Sequence, residues 1–255
     1  MSIQTQTPLL ETRGLSRNFG ALQATKAVDF QLAPGARHAL IGPNGAGKTT
    51  FINLLTGVLS PSRGAVLLKG QDITALPQSA RVKLGIARTF QINRLFRGLS
   101  VLENVYIAIA ERVGAARSML RPAGKRQDVI DEAMRLLQSL RLEQDAHHRV
   151  AELPYGRQRL VELAIALGLR PEVLLLDEPA AGVPSAESHI ILDAVAALPP
   201  HIGVLIIDHD MDLVFRFAKR ITVLVGGAVF ADGTPREIGA NPEVRAVYLG
   251  QAGHG

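Results

Sequence analysis

The most specific chemical signal in the chain is a glycine-rich run with the pattern GxxxxGK[ST], Gly42-Pro43-Asn44-Gly45-Ala46-Gly47-Lys48-Thr49. The run follows a short apolar segment and opens a helical pattern, as a phosphate-binding loop must. Its glycines let successive backbone N–H groups surround a phosphate chain, and the helix N-terminus adds positive potential. Lys48 is placed to reach the β and γ phosphates, and the Thr49 hydroxyl to ligate Mg²⁺. A turn with a surface lysine is the alternative, but the strand and helix context favours a nucleotide site.

An acidic pair, Asp177-Glu178, follows the apolar segment 173–176, where α/β sheets place their ligands. One carboxylate can order Mg²⁺ through water while its neighbour orients the attacking water, as hydrolysis of a γ-phosphate requires. An ordinary acidic pair at a strand end is the alternative. Its position downstream of a phosphate-binding loop favours hydrolysis.

His209 follows another apolar segment, 204–207. Parallel strands would bring it to the same sheet edge as Lys48 and Asp177. We predict that it contacts the γ-phosphate, with a purely structural histidine as the alternative.

The elements that must position these residues follow an α/β pattern. Residues 9–32 alternate apolar and polar residues, which predicts antiparallel strands with a turn at 18–20. Nearly continuous apolar segments predict parallel strands covered on both faces. These segments are 173–176, 204–207 and 221–225, and two further strands are predicted at 38–41 and 64–68. Helical spacing predicts helices at 49–59, 79–85, 101–111, 128–140, 185–198 and 211–219, with Asp128 as an N-cap.

The composition excludes several classes of function. With 255 residues of which 47% are hydrophobic, the chain can fill a sizeable core. The aromatic content of 4% and the absence of Trp disfavour a stacking platform for single-stranded nucleic acid. The absence of Cys excludes disulfides and cysteine-ligated zinc. The formal charge of +5 suits nucleotide, membrane surface or nucleic acid alike. We find no signal peptide, and the apolar stretch 160–176 is interrupted by charges, so any membrane role is peripheral.

In this order the motifs resemble those of the ABC transporter ATPase family, over residues 9–250. The resemblance implies that Gly42–Thr49 is Walker A, that 174–178 contains Walker B and the catalytic Glu178, and that Gln91 and His209 are the Q-loop and switch residues. It implies ATP and Mg²⁺ as cofactors. The residues implied to bind ATP are Phe19, Gly42, Pro43, Asn44, Gly45, Ala46, Gly47, Lys48, Thr49 and Thr50, and those implied to ligate Mg²⁺ are Thr49, Gln91 and Asp177. Lys48, Gln91, Glu178 and His209 are the implied catalytic set.

Phe19 is the least specific of these assignments. It stands where the family has an adenine-stacking aromatic residue, and a phenyl ring can stack on a purine. A phenylalanine of the hydrophobic core is the alternative.

The family resemblance implies a P-loop NTPase fold with three parts. A RecA-like core would comprise 9–91 and 161–250 and carry an antiparallel β subdomain, and a helical signature subdomain at 92–160 would contact a permease. The family signature reaches across a dimer to the partner's ATP. Here it corresponds to Leu153-Pro154-Tyr155-Gly156-Arg157, where Pro154 replaces the usual serine and Arg157 the usual glutamine. Pro184 also stands where the family usually has aspartate.

Finer features resemble the branched-chain amino acid importers. They are Arg88–Gln91, Arg94–Phe96, Asp177–Gly182, Gly233–Pro235 and Tyr248–Gly250. That branch implies a second ATPase subunit in a homo- or heterodimer, membrane permease subunits, an indirect periplasmic solute-binding protein, no nucleic acid, and a location on the cytoplasmic face of the membrane. A lipopolysaccharide exporter and an importer of urea or amides remain alternatives.

Other classes fit the sequence less well. A GTPase would need an Asn-Lys-x-Asp motif, which is absent. A small-molecule kinase would not need the signature helix or His209. The DNA-repair members of the family carry coiled coils or zinc modules, and the translation-type members carry two ATPase halves in one chain.

Overall fold

The computed structural model describes residues 7–89, 95–114 and 126–249, with backbone alone at 185–188 and 248–249. The chain folds into two compact units. The first comprises the described residues within 1–86, 172–178 and 199–255, and the second those within 87–171 and 179–198. The subdomain limits drawn from the family resemblance stay a prediction.

An antiparallel sheet occupies the first unit, as the alternation in residues 9–32 predicts. Its strands are β1 (Leu10–Phe19), β2 (Leu22–Leu32), β4 (Arg63–Leu68) and β5 (Gln71–Asp72), in the order β2-β1-β4-β5. Phe19 pairs with Leu22 across a two-residue connection that begins with Gly20 at φ 59°. Glycine adopts this left-handed conformation without steric cost, so the hairpin closes tightly there.

The central sheet is mostly parallel. Its strands are β3 (Arg37–Ile41), β6 (Ile86–Thr89), β7 (Val173–Asp177), β8 (Gly203–Ile207), β9 (Arg220–Val225) and β10 (Ala228–Gly233), in the order β10-β9-β3-β8-β7-β6. Strands β3, β7, β8 and β9 pair in parallel, and β10 pairs antiparallel with β9. Every residue of β8 is buried, as expected for a parallel strand covered on both faces.

Nine helices lie in the described residues. In the first unit they are α1 (Lys48–Thr56), α2 (Gln78–Lys83), α7 (Met211–Phe217), α8 (Pro235–Ala240) and α9 (Pro242–Leu249). In the second they are α3 (Val101–Arg112), α4 (Gln127–Ser139), α5 (Tyr155–Gly168) and α6 (Ser185–Ala196), with short 3₁₀ helices at Glu143–Asp145 and Val150–Glu152. No helix in this described part is long and apolar enough to cross a bilayer.

Several predicted helices end earlier than the sequence pattern indicates. The predicted helix 49–59 stops before Gly57, which adopts a left-handed φ of 75° and caps the helix. The predicted helix 211–219 stops at Phe217, because the Lys219 N–H already donates to the carbonyl of Arg37, the first residue of β3, at 2.8 Å.

The prediction of Asp128 as an N-cap is wrong. Arg126 is the N-cap of α4, and Asp128 lies inside the first turn. The Arg126 guanidinium donates to the Asp128 carboxylate at 2.6 Å, so the side chain that would have capped the helix is already engaged.

The predicted helix 185–198 also ends early, at Ala196. Residue 198 precedes Pro199, and proline disfavours helical backbone in the residue before it.

The helix that follows the glycine loop is embedded in the core of the first unit. Phe51, Ile52, Leu54 and Leu55 of α1 are fully buried in one cluster with residues of both sheets. The Phe51 ring meets the Phe30 ring of β2 edge-on, with centroids 5.6 Å apart. Because interiors are close-packed, this face fixes where the N-terminus of α1 lies.

A buried arginine holds the other end of α1. The Arg81 side chain on α2 is 1% exposed. Its guanidinium donates to the carbonyls of Leu54 at 2.7 Å and Leu55 at 2.9 Å, and to those of Thr74 and Leu76 at 2.8 and 3.0 Å. Helix C-termini leave such carbonyls without intrahelical partners, so Arg81 satisfies groups that the fold would otherwise bury unpaired.

We expect Arg81→Met to lower the free energy of unfolding by about 3–5 kcal/mol, since it strands several buried carbonyls at once. Urea denaturation of the isolated subunit measures the change. Lys83→Met, on the exposed side of the same helix, is the matched control and should cost within about 0.5 kcal/mol. Equal effects of the two substitutions would contradict the role given to Arg81.

A polar network lies at the N-terminal end of β3. His38 is 2% exposed, and its Nε2 lies 2.8 Å from the Thr222 hydroxyl. That hydroxyl donates to Asp232, which also pairs with Arg220. Because the Thr222 hydroxyl uses its proton to donate to Asp232, its oxygen can only accept from His38. The His38 Nε2 therefore carries a proton and donates to the Thr222 hydroxyl oxygen. Burial lowers the pKa of His38 to about 4, against the opposing effect of the Asp232 carboxylate.

This histidine predicts a loss of stability in acid. The unfolded chain takes up the proton near pH 6.5, whereas the native ring stays neutral until about pH 4, so stability falls as the pH drops between these values. Between pH 7.5 and 4.5 the loss amounts to about 2.5 kcal/mol. Urea midpoints at both pH values measure it, and His38→Gln should lack this portion of the loss. An identical acid response in the variant would rule out His38 as its source.

Candidate functional site

The glycine loop lies between the carboxyl end of β3 and the start of α1, as predicted. Two of its glycines are required by close backbone approach. A Cβ on Gly42, at φ 154°, would lie 2.2 Å from the Leu224 carbonyl oxygen, and one on Gly47, at φ 97°, would lie 2.3 Å from the Ala24 carbonyl oxygen. Neither position admits another residue without movement of the neighbouring strand. The loop is therefore fixed against β9 and β2.

The N-terminus of α1 is open to an anion. Gly47 is its N-cap and supplies no side-chain hydrogen bond, and the first turn contains no acidic residue. The first N–H groups of a helix have no intrahelical partner, and the helix dipole makes this end positive. Lys48, Thr49 and Thr50 form this first turn, so their backbone N–H groups are the ones open to the anion.

Lys48 lies folded over the loop. Its Nζ donates to the carbonyls of Gly42 at 2.5 Å and Pro43 at 3.0 Å. Burial lowers the pKa of the Lys48 ammonium, while the carboxylates of Glu178 and Asp177 act in the opposite direction. The ammonium thus lies within electrostatic range of both carboxylates, at the edge of the sheet where the sequence placed all three.

The acidic pair ends β7. Asp177 is the last residue of the strand, in register with Ile207 of β8. Glu178 follows at φ 48°, a left-handed conformation that is uncommon outside glycine, and its N–H donates to the Ile207 carbonyl at 2.8 Å. This hydrogen bond across to β8 holds the turn, so the Glu178 side chain leaves the sheet in a fixed direction.

His209 reaches the same place from the next strand. Its Nδ1 lies 3.5 Å from Glu178 Oε1, and the two side chains are 71% and 46% exposed. Its backbone is fixed from both sides. Asp208, which is buried, accepts the N–H groups of His209 at 2.8 Å and Asp210 at 3.0 Å, and Asp210 in turn caps α7.

Asp208 and Asp210 are positioning residues that the sequence analysis missed. An Asp-His-Asp run directly after a buried strand is the signal that could have found them, because aspartate hydrogen-bonds the backbone two residues ahead and caps helices. Burial raises the pKa of Asp208, and the two N–H groups that it accepts act against this rise.

Phe19 is not a core residue. Its ring is 43% exposed at the end of β1, and the Arg17 guanidinium lies 4.8 Å from its centroid. The alternative of a core phenylalanine is therefore wrong, while stacking on adenine stays a prediction. Gln91 lies outside the described residues, as do Phe90, Arg94 and Gly250.

The signature residues lie in the second unit, at the start of α5. Pro154 is the N-cap and offers no side-chain hydrogen bond. The Gln158 N–H makes the first intrahelical bond, to the Pro154 carbonyl at 3.1 Å, so the N–H groups of 155–157 remain the open ones. Arg157 forms an ion pair with Asp145, which already balances its charge.

A separate cleft of about 850 Å³ lies in the first unit at the opposite end of β3. Arg37, His38 and Arg220 are among its lining residues. Parallel sheets bind their ligands at the carboxyl ends of the strands, so this cleft lies at the wrong end for the nucleotide. The glycine loop, not the cleft, carries the chemistry.

A phosphate-binding loop between strand and helix, with an acidic pair ending a neighbouring parallel strand, defines a P-loop NTPase. A protein-family model described as ABC transporter matches residues 25–181, and one described as branched-chain amino acid ATP-binding cassette transporter matches residues 228–254. The chain belongs to the ABC transporter family and is one of its ATPases.

Curated relatives match nearly the whole chain. The high-affinity branched-chain amino acid transport ATP-binding protein LivG of Escherichia coli K12 is 39% identical over 252 residues, which are 96% of this chain and 99% of LivG. The high-affinity branched-chain amino acid transport ATP-binding protein BraF of Pseudomonas aeruginosa is 38% identical with the same coverage.

Solved structures support the same assignment. The ADP conformation of MJ1267, an ATP-binding cassette of an ABC transporter, matches with a TM-score of 0.85 and 31% identity over 95% of this chain and 99% of that one. MJ0796, a bacterial ABC transporter cassette solved as a dimer, matches with a TM-score of 0.75 and 25% identity over 89% and 99%. The fold prediction of an α/β P-loop NTPase is confirmed.

Proposed function

We propose that this chain is the ATP-hydrolysing subunit of an importer that carries branched-chain or other hydrophobic amino acids through a membrane permease. The observation that carries the ATPase chemistry is the convergence of Lys48, Asp177, Glu178 and His209 at one sheet edge. The similarity to LivG and BraF along the whole chain supports the transported class. The match at residues 228–254 favours it over a lipopolysaccharide exporter or a urea or amide importer.

ATP would bind through its phosphates to backbone N–H groups of 44–50. Lys48 would exchange its two carbonyl partners for phosphate oxygens, which are stronger acceptors because they are charged. Phe19 would stack on the adenine. The exchange of partners by Lys48 would release the carbonyls of Gly42 and Pro43, so nucleotide binding would change the conformation of the loop.

The residues present suit Mg²⁺. Thr49 offers a hydroxyl oxygen, Asp177 a carboxylate and Gln91 an amide oxygen, all hard ligands of the kind that Mg²⁺ prefers beside phosphates and water. When bound, Mg²⁺ would neutralise charge on the phosphate oxygens.

Glu178 would accept a proton from the water that attacks the γ-phosphate. His209, 3.5 Å away, would orient this carboxylate and contact the γ-phosphate. The left-handed backbone at Glu178 and the two aspartates beside His209 would keep both side chains in place, since catalysis of this kind depends on positioning.

The signature residues would act on the ATP of a second subunit, identical or related, through the open N–H groups at the start of α5. We further propose that the pair binds permease subunits at the cytoplasmic face of the membrane and that a periplasmic binding protein delivers the solute to them. The tagged chain, purified with its permease and reconstituted in proteoliposomes with the binding protein, tests this. We expect ATP-dependent uptake of labelled leucine, and uptake of urea but not leucine would contradict the substrate class.

Pro154 predicts a weakened second ATP site. If the partner's signature is closer to the family norm, the site that uses Pro154 is the weaker one, because proline offers neither hydroxyl nor N–H. We expect Pro154→Ser to raise turnover of the assembled transporter several-fold, up to about tenfold, by adding one hydrogen bond to phosphate. Pro154→Ala, which restores the N–H without a hydroxyl, is the matched control. No change or a fall in turnover of Pro154→Ser, or equal rates for the two variants, would count against this explanation.

A further inference from the structure

Tyr155, the first residue of α5, contacts Arg159 and Gly182, two residues outside the signature. The Arg159 guanidinium, one turn later, lies 4.8 Å from the centroid of its ring. Arg159 also donates a hydrogen bond to the Tyr155 hydroxyl. Residues four apart on a helix lie on one face, so the ring is held along the helix rather than free in solvent.

A buried ion pair holds Arg159 in turn. Its guanidinium donates to Glu162 at 2.9 Å, and both side chains are 9% exposed. Burial raises the pKa of Glu162, and Arg159 counteracts this rise. Breaking a buried pair of this kind leaves an uncompensated charge, so the arginine beneath the Tyr155 ring has little freedom to move.

The ring also packs against Gly182. A Cβ at Gly182 would lie 3.2 Å from Tyr155 Cε1 and 3.7 Å from its hydroxyl oxygen. Gly182 lies at φ 75° in a turn that closes with a hydrogen bond from the Val183 N–H to the Ala180 carbonyl, at 3.1 Å. The Tyr155 ring therefore fills the space beside the backbone where any side chain at 182 would reach.

We propose that Tyr155 is a positioning residue that couples the signature turn to the segment 179–184. This segment follows Glu178 directly in the chain, so a displacement of the signature on meeting phosphate passes through the ring to Gly182 and on toward the general base. The proposal rests on the proposed function, since it assumes that the signature engages ATP.

A double-mutant cycle tests the contact. Tyr155→Ala, Gly182→Ala and the double variant are compared with wild type in the assembled transporter by kcat and KM for MgATP. We expect Tyr155→Ala to lower kcat by about tenfold or more with KM changed less than about twofold. The substitution would displace the segment 179–184 and with it Glu178, while the residues that bind nucleotide are unchanged. Gly182→Ala should lower kcat by a larger factor in the wild-type background than in the Tyr155→Ala background, and the difference between the two factors measures the contact. The backbone strain of alanine at φ 75° is common to both backgrounds and cancels.

Tyr155→Phe distinguishes packing from hydrogen bonding. It retains the ring, so it should keep kcat within about threefold of wild type. Tyr155→Leu replaces Tyr155→Ala if the latter does not fold, and should lower kcat in the same way. A wild-type kcat in Tyr155→Ala or Tyr155→Leu, or a Gly182→Ala loss of equal size in both backgrounds, would overturn the coupling.

Lys48→Ala separates this inference from the proposed function. If the wild type hydrolyses ATP and Lys48→Ala does not, but the cycle is additive, only the coupling fails. If the wild type shows no hydrolysis that depends on Lys48, the proposed function fails and the coupling with it.

Discussion

Glu178→Gln should abolish ATP hydrolysis while leaving ATP binding intact. The amide has the shape of the carboxylate but cannot accept a proton, and general-base catalysis contributes about 10²–10⁴-fold. The hydrogen bond that holds the turn uses the Glu178 backbone N–H, so it survives the substitution. We expect phosphate release to fall at least about a hundredfold and ATP to hold the subunits in a closed dimer.

Phosphate release and size-exclusion chromatography with MgATP measure the two effects. Glu243→Gln, the same chemical change at an exposed position of α9, is the control and should behave as wild type. Hydrolysis at the wild-type rate in Glu178→Gln would remove Glu178 from its proposed role.

Lys48→Ala should weaken ATP binding itself. The substitution removes the ammonium that lies over the loop and, in the bound state, its charged contacts to phosphate. Such contacts contribute about 2–3 kcal/mol, which corresponds to about 30–150-fold in Kd. Hydrolysis should fall further, because the developing charge on the γ-phosphate loses the stabilisation that the Lys48 ammonium provides.

Titration calorimetry with MgATP measures the affinity. Lys69→Ala is the control, since this lysine is 57% exposed in its pairing with Glu172 in the same unit. ATP binding of equal strength in Lys48→Ala and wild type would contradict the assignment of the loop.

The chemistry of the site was predictable because each motif is local. Gly42 and Gly47 are required because the backbone there lies close to β9 and β2. The motif places glycine at these two positions, so the sequence alone indicates the loop. The apolar segments ending at Leu176 and Ile207 predict the strands, and the polar residues after them predict which edge carries the site.

Some local signals were present and were not used. Ser100 with Glu103 and Thr234 with Glu237 form capping boxes that start α3 and α8, with both reciprocal hydrogen bonds made. The pattern Ser/Thr-x-x-Glu marks such helix starts in sequence. The glycine pair before β10 likewise indicates the turn of its hairpin with β9.

Long-range partners could not be predicted. His38 meets Thr222 across a sequence separation of 184 residues, and the sequence around Arg81 gives no sign that its guanidinium will bind the carbonyls at the end of α1. The contact of Tyr155 with Gly182 joins two motifs that local patterning treats as independent. These interactions depend on how elements pack, which no single segment encodes.

Hydrogen–deuterium exchange of the wild-type protein with and without a nonhydrolysable MgATP analogue tests the central claim most directly. Backbone N–H groups of 44–50 that bind phosphate must exchange more slowly. We therefore expect nucleotide-dependent protection of peptides spanning 42–50, and none at 219–220 beside the cleft at the far end of β3. Protection at that cleft with unchanged exchange across 42–50 would contradict the account.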